Sequence, residues 1–123
     1  MNTYTISKEH AFSASHRLLD LPQGHPCGRL HGHNYVLRIT LTGTKLNTYG
    51  FLFDYGDLKP FTRWVDETLD HQHLNDVTPM QPSAENLSRW LAQRATQLLQ
   101  LPAGVTISVA VSETPKTWAT WTP

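Results

Sequence analysis

The segment HGHNYVLRITLT, residues 31–42, alternates in polarity and decides the fold class of this chain. One face of the segment carries His31, His33, Tyr35, Leu37, Ile39 and Leu41. The residues between them are mostly polar. Because side chains along a strand point alternately to its two faces, this pattern predicts a strand that buries one face. Such a strand is typical of an antiparallel sheet that is covered on one side.

The sequence on either side of this strand predicts a single α+β domain over residues 1–123. The predicted elements are strands at 4–16 and 31–42, a short extended piece at 50–56, helices at 57–69 and 83–99, and strands at 105–111 and 118–121. Asp57 and Ser83 are the predicted N-caps of the two helices. Consecutive helices between strands, without regular strand–helix alternation, favour a four-stranded antiparallel sheet with two helices packed on one face.

Composition argues against several classes of partner. Ten basic and ten acidic residues among 123 give a formal net charge of zero, so no electrostatic footprint for nucleic acid or an anionic membrane is expected. No stretch approaches the roughly 18 apolar residues of a transmembrane helix, and the first residues do not read as a signal peptide. With one cysteine, which cannot form an internal disulfide, we expect a cytoplasmic protein.

Three histidines are candidate metal ligands. His31 and His33 lie two residues apart on a predicted strand and therefore project from the same face. His16, near the end of the preceding strand, would lie beside them in an antiparallel pair. A catalytic zinc site keeps three protein ligands and one open position, which this trio would satisfy. Two alternatives stay open: the segment is only a polar strand start, or Cys27 is a fourth ligand that makes the site structural.

Further residues are candidates for acid–base chemistry and substrate binding. Asp70 next to His71 could form a carboxylate-oriented imidazole suited to proton transfer, although such pairs are common and an exposed loop is the ordinary explanation. Cys27 becomes reactive only as a thiolate near a cation. Glu113, at the end of a predicted strand, has a carboxylate suited to two parallel hydrogen bonds with an N–C–N edge, or is simply solvated.

Six motifs in a fixed order resemble the 6-pyruvoyl-tetrahydropterin synthase family, the tunnelling-fold pterin synthases. They are FSASHR, CGRLHGHNY, FDYGDLK, LDHQHLN, PSAEN and VSET, and the resemblance covers residues 12–114. Three residues separate Cys27 from His31. This spacing resembles the bacterial 6-carboxy-tetrahydropterin synthases of queuosine biosynthesis, whereas the pyruvoyl-forming enzymes usually have a longer gap.

The resemblance implies a role for each candidate residue. The implied zinc ligands are His16, His31 and His33; the proton-transfer groups are Cys27, Asp70 and His71, with Glu113 anchoring the pterin ring. Ser83 and Glu85 are implied substrate contacts, with Ser83 at a position where the family usually has threonine.

The implied reaction is a zinc-dependent lyase reaction on a pterin triphosphate. It converts 7,8-dihydroneopterin triphosphate to 6-carboxy-5,6,7,8-tetrahydropterin and releases acetaldehyde and triphosphate. The alternatives are 6-pyruvoyl-tetrahydropterin synthase activity, which stops before carbon–carbon cleavage, and a non-catalytic zinc or pterin-binding module. The family also forms homohexamers, two trimers whose sheets close into barrels with active sites between subunits. A similar assembly is expected here, and it would cover the open edges of a small sheet.

Overall fold

Two long antiparallel strands form the centre of the sheet. In the computed structural model, which describes residues 2–123, β1 spans Tyr4–His16 and β2 spans His31–Gly43. The strands pair along their whole length, with Phe12 opposite Tyr35. The prediction of two strands with one buried face is confirmed, and β2 ends one residue later than predicted.

The complete sheet has five strands and mixed directions. Its other strands are β3 (Gln72–His73), β4 (Thr106–Ser112) and β5 (Ala119–Trp121), and the order across the sheet is β3-β1-β2-β4-β5. The predicted four-stranded antiparallel sheet is therefore wrong in one detail, because β3 pairs parallel with β1 at the sheet edge. A strand of two residues is too short to show any periodicity in the sequence.

Three helices follow the central strand pair. They are α1 (Lys59–Thr68), the single turn α2 (Leu74–Val77) and α3 (Ala84–Leu98). The two long helices match the predicted pair. Within residues 2–123, no helix has both the length and the apolar character needed to cross a bilayer.

The segment before α1 differs from the prediction. Residues 50–56 form no strand; they bend into a 3₁₀ helix, Tyr55–Leu58, that leads directly into α1. Its N-cap is Asp54, whose side chain accepts a hydrogen bond from the Gly56 N–H at 2.8 Å. Asp57 therefore does not cap the helix, because the carboxylate three residues earlier already starts the turn.

The helices cover one face of the sheet and enclose the hydrophobic core. β2 contributes Leu37, Ile39 and Leu41, each at most 1% exposed. The helices contribute Phe61, Val65, Leu87 and Leu91, all at 0% exposure. The opposite face of the sheet is more polar and more exposed. There Arg38 and Glu9 form an ion pair at 2.6 Å. This arrangement confirms that both long helices pack on one side.

Removing the cap of α3 is expected to cost a modest amount of stability. Oγ of Ser83 accepts a hydrogen bond from the Asn86 N–H at 3.2 Å, so the predicted N-cap is confirmed. We expect Ser83→Ala to lower the free energy of unfolding by about 1 kcal/mol, measured by urea denaturation. Ser7→Ala, at an exposed strand position, is the control and should change it by less than about 0.5 kcal/mol. Equal losses in both variants would show that the cap contributes nothing.

Candidate metal centre

The pairing of β1 with β2 brings three imidazoles to one end of the buried sheet face. His16 lies opposite His31, and His33 follows His31 by two residues. One nitrogen atom from each ring lies within 4.8 Å of the other two, a group that could hold a metal ion. His16 is 1% exposed, and the other two histidines are half-buried. The predicted convergence of these rings is confirmed.

Backbone carbonyl groups fix the tautomers of two of the rings. Nδ1 of His16 donates to the oxygen of Pro82 at 2.7 Å, and Nδ1 of His31 donates to the oxygen of Arg29 at 2.7 Å. Because a carbonyl oxygen only accepts hydrogen bonds, each neutral ring carries its proton on Nδ1 and a lone pair on Nε2. Metal-binding histidines typically show this arrangement.

The two Nε2 atoms of His16 and His31 lie 2.9 Å apart. Two lone pairs at this separation repel each other, and a cation placed between them and His33 would convert the repulsion into coordination. The donor set of these nitrogens therefore fits a metal ion on chemical grounds. A proton shared between the rings is the only other way to relieve the repulsion without moving them.

The third histidine of the group, His33, lies next to the carboxylate of Glu113. Nε2 of His33 is buried and has no hydrogen-bond partner within the described part of the chain. An unsatisfied buried nitrogen costs about 1–3 kcal/mol, a cost that coordination would remove. Oε2 of Glu113, which directly follows β4, lies 3.5 Å from this nitrogen. The structure therefore places the predicted pterin anchor next to the histidine group.

Burial keeps two of the rings in the neutral form that binds metals. Desolvation lowers the pKa of His16 and His33 below the ordinary histidine value, and the neighbouring imidazoles lower it further. The Glu113 carboxylate raises the pKa of both histidines, and the Pro82 carbonyl also raises that of His16. Burial has the largest effect on both pKa values. These rings can therefore bind a cation near neutral pH without first releasing a bound proton.

The metal-free protein is expected to lose stability as the pH falls below about 6.5. In that range the unfolded chain binds protons at His16 and His33, whereas the folded chain does not, so protonation favours unfolding. Each such histidine adds a slope of up to about 1.4 kcal/mol per pH unit. Urea denaturation of chelator-treated protein between pH 7.5 and about 5 measures this slope.

Two variants isolate the contribution of these histidines. His33→Asn should reduce the slope, whereas Ser7→Ala, which removes no titrating group from an exposed strand position, should leave it unchanged. An equal slope in His33→Asn and the parent protein would show that His33 titrates in the folded state as it does in the unfolded state.

Cys27 lies outside the histidine group. It sits in the loop between β1 and β2, within a 3₁₀ turn at Pro26–Gly28, and is half-buried. Its carbonyl oxygen accepts from the Leu18 N–H at 3.0 Å, a contact that ties the two sides of the loop together. Within residues 2–123, its sulfur belongs to no cluster of three or more metal-binding side chains. The geometry favours three histidine ligands over a closed site with sulfur as the fourth.

Asp70 and His71 form the predicted carboxylate–imidazole pair. Nδ1 of His71 lies 2.8 Å from Oδ2 of Asp70, and Oδ1 of Asp70 accepts from the Ser13 N–H at 2.9 Å. The Ser13 hydrogen bond, followed by that of His71, holds the pKa of Asp70 below its ordinary value. His71 adopts a left-handed backbone conformation, φ 61°, that is uncommon for a residue with a side chain. Its side chain is 81% exposed.

This pair lies beside residues on the sheet face that points away from the core. His71 lines an open groove of about 470 Å³ together with Ser13, Ser15, Asn34 and His73, and His33 also borders this groove. Ser13 and Ser15 alternate along β1 with the core residues Phe12 and Ala14, so they face away from the core. The structure therefore joins Asp70 to His71 but does not place either residue in the group of three histidines.

The predicted substrate contacts Ser83 and Glu85 lie at the start of α3. Ser83 directly follows Pro82, whose carbonyl orients His16, and its hydroxyl caps the helix. Glu85 is exposed in the first turn of the helix. Their contact with a substrate stays a prediction.

Sequence analysis did not identify three groups that lie next to the histidines: two backbone carbonyls and one tyrosine side chain. The carbonyl groups of Arg29 and Pro82 carry no sequence signal, because every residue has one. Tyr35 lies next to His16 and His33, with ring centroids 5.9 and 5.3 Å away. Its position two residues after His33 on the same strand face was the signal that could have identified it.

The chain has relatives among known proteins. A family model described as 6-pyruvoyl tetrahydropterin synthase matches residues 5–123. A putative 6-pyruvoyl tetrahydrobiopterin synthase of Caenorhabditis elegans is 30% identical over 130 residues, covering 94% of this chain and 92% of that protein. A 6-carboxy-5,6,7,8-tetrahydropterin synthase of Rickettsia conorii is 38% identical over 61 residues, 49% of this chain and 43% of the relative. The match thus spans less than half of that relative's length.

Solved structures show the same fold. The 6-pyruvoyl tetrahydropterin synthase of Caenorhabditis elegans superposes with a TM-score of 0.86 at 27% identity, covering 100% of this chain and 97% of that one. The enzyme of the same name from Plasmodium vivax gives a TM-score of 0.79 at 22% identity, with 98% of each chain covered. The second likeness supports the fold alone.

Proposed function

This chain belongs to the 6-pyruvoyl tetrahydropterin synthase family, and from this premise we propose that it is a zinc-dependent 6-carboxy-tetrahydropterin synthase. It converts 7,8-dihydroneopterin triphosphate to 6-carboxy-5,6,7,8-tetrahydropterin with release of acetaldehyde and triphosphate, in queuosine biosynthesis. The observation that carries the proposal is the group formed by His16, His31 and His33. The short spacing from Cys27 to His31 and the names of several relatives favour the carboxy-forming branch.

The three histidines suit zinc. Imidazole nitrogen is a preferred zinc ligand, and three protein ligands leave one position for a substrate. When bound, zinc supplies a Lewis acid that lowers the pKa of substrate hydroxyl groups and of the adjacent C–H bond. His16 and His31 would contribute Nε2, since their Nδ1 atoms already donate to carbonyl oxygens.

Cys27 is the proposed base. As a thiolate, its Sγ would take the proton from the substrate side-chain carbon. A thiol that is not a metal ligand stays free for this role, and the location of Cys27 outside the histidine group agrees with it. The cytoplasm, where thiols stay reduced, is the proposed location.

The proton relay is proposed to come from a neighbouring subunit. Asp70 holds Nδ1–H of His71, which leaves Nε2 of that exposed ring free to accept or return a proton. Because neither residue belongs to the group of three histidines in its own chain, the pair would serve a second copy of the chain. A homohexamer built from two trimers would supply that copy.

Glu113 is the proposed anchor of the pterin ring. Its carboxylate would accept two parallel hydrogen bonds from the N–C–N edge of the pterin. Its position beside His33 would place the ring next to the metal-bound side chain. Ser83 and Glu85 are proposed to contact the substrate from the start of α3.

One experiment separates the candidate functions. Purified zinc-loaded protein is incubated with 7,8-dihydroneopterin triphosphate, and the pterin is identified by mass spectrometry while acetaldehyde is assayed. Formation of the carboxy product with acetaldehyde supports the proposal. A pyruvoyl product without acetaldehyde would favour 6-pyruvoyl-tetrahydropterin synthase activity. The similarity to the Caenorhabditis elegans protein, which covers 94% of this chain, supports this second candidate. A bound but unchanged substrate would indicate a non-catalytic binding module.

A further inference from the structure

Tyr35 is held rigidly beside the candidate metal centre. Its ring stacks on Phe12, with centroids 4.9 Å apart and planes 6° from parallel. It also meets the rings of His16 and His33 nearly edge-on, at 88° and 80°. The residue is 0% exposed. Packing on these sides leaves the phenol little freedom, so the position of its hydroxyl group is determined by the fold.

The hydroxyl group of Tyr35 is one of two unsatisfied polar atoms. Within the part of the chain that the structure describes, only Tyr35 Oη and His33 Nε2 are buried side-chain atoms without a hydrogen-bond partner. Buried tyrosine hydroxyls normally have one. Two unrelated packing defects would not be expected on adjacent side chains of one strand face. Their ring centroids lie 5.3 Å apart, close enough for one small molecule to contact both side chains.

The chemistry of the phenol defines what that ligand must offer. A tyrosine phenol ordinarily carries its proton near neutral pH, so the O–H that is buried beside the rings of His16 and His33 is a hydrogen-bond donor. The nitrogen of His33, in contrast, can offer a lone pair. The site therefore combines a lone pair for a cation with an O–H for an oxygen acceptor.

We propose that Tyr35 donates a hydrogen bond to an oxygen atom of the small molecule held at this centre opposite the three histidines. The acceptor is a water molecule or the alcohol group of a pterin side chain, which share the same oxygen chemistry. The inference rests on the proposed metal centre and assigns Tyr35 a role in positioning that oxygen. His16, His31 and His33 could bind the metal ion without any contribution from Tyr35.

Tyr35→Phe tests the proposal because it removes only the hydroxyl group. The metal-free variant should melt at the same temperature as the parent protein or higher, since no protein hydrogen bond is lost. Affinity for Co²⁺, followed by visible absorption against a competing chelator, should fall about tenfold if water is the acceptor. If the alcohol is the acceptor, Co²⁺ affinity is retained and neopterin binding to the Co²⁺-loaded protein falls about tenfold.

Tyr49→Phe is the matched control. It removes the same atom from a side chain that is 80% exposed and should change none of these measurements. A metal-free Tyr35→Phe variant that melts several degrees below the parent overturns the inference, because its hydroxyl would then already have a partner. Unchanged binding of both Co²⁺ and neopterin in the variant also overturns it.

Failure of the proposed function gives a different result. If the parent protein itself binds no Co²⁺, the metal centre is wrong and the role of Tyr35 falls with it. If the parent binds Co²⁺ and neopterin and Tyr35→Phe binds both equally well, only the role of Tyr35 is wrong.

Discussion

Cys27→Ala is expected to reduce turnover of 7,8-dihydroneopterin triphosphate by about 10²–10⁴-fold, the usual contribution of a positioned acid or base. The metal content should remain that of the parent protein, because the sulfur lies outside the histidine group. The fold should also remain, since Cys27 is only half-buried. Product formation under saturating substrate and elemental analysis of the same sample measure both quantities.

The paired readout makes this prediction decisive. Lost activity with retained zinc supports a catalytic thiol. Lost zinc together with lost activity would instead show that sulfur completes a structural site. Full activity in Cys27→Ala would remove the thiol from the mechanism altogether. Ser7→Ala, at an exposed position on β1, serves as the control for handling and should match the parent in both measurements.

His31→Ala is expected to empty the metal centre and abolish turnover. It removes one of three ligands and leaves the lone pair of His16 without its neighbour at 2.9 Å. Removing a group that only orients a metal ligand typically weakens metal binding by about 10–100-fold, so loss of a ligand itself should weaken it by at least about 100-fold. Elemental analysis after dialysis against a weak chelator gives the metal content per chain.

His10→Ala is the control for the loss of a histidine from the central strand pair. His10 also lies on β1, but its ring contacts Asp66 at 2.6 Å and takes no part in the histidine group. This variant should bind as much metal as the parent protein. If His31→Ala also kept a full equivalent of zinc, another set of residues would have to bind the metal.

Much of the fold could be predicted because the decisive patterns are local. Alternation along β1 and β2 and the cap at Ser83 need no knowledge of distant residues. Antiparallel pairing of the two strands predicted that His16 lies beside His31 and His33, and the observed register places His16 opposite His31. Two errors had local causes as well: β3 has only two residues, and Asp54 rather than Asp57 begins the turn before α1.

The environment of the centre was harder to predict. The carbonyl groups of Arg29 and Pro82 determine which imidazole nitrogens stay free, yet their positions depend on the loop before β2 and the segment before α3. The orientation of His71 likewise depends on a left-handed backbone conformation. Alternation along a strand predicts the face of His31 and His33, whereas the orientation of loop groups such as His71 and the two carbonyls depends on the folded backbone.

The separation of the Asp70–His71 pair from the histidine group has a genetic consequence under the proposed function. Each chain would contribute half of an active site to each of two neighbours, so activity would be lost when dilution separates the subunits. Chains carrying Cys27→Ala and chains carrying His71→Ala would each be inactive alone. When co-expressed, they would complement each other at those junctions where an intact thiol meets an intact imidazole.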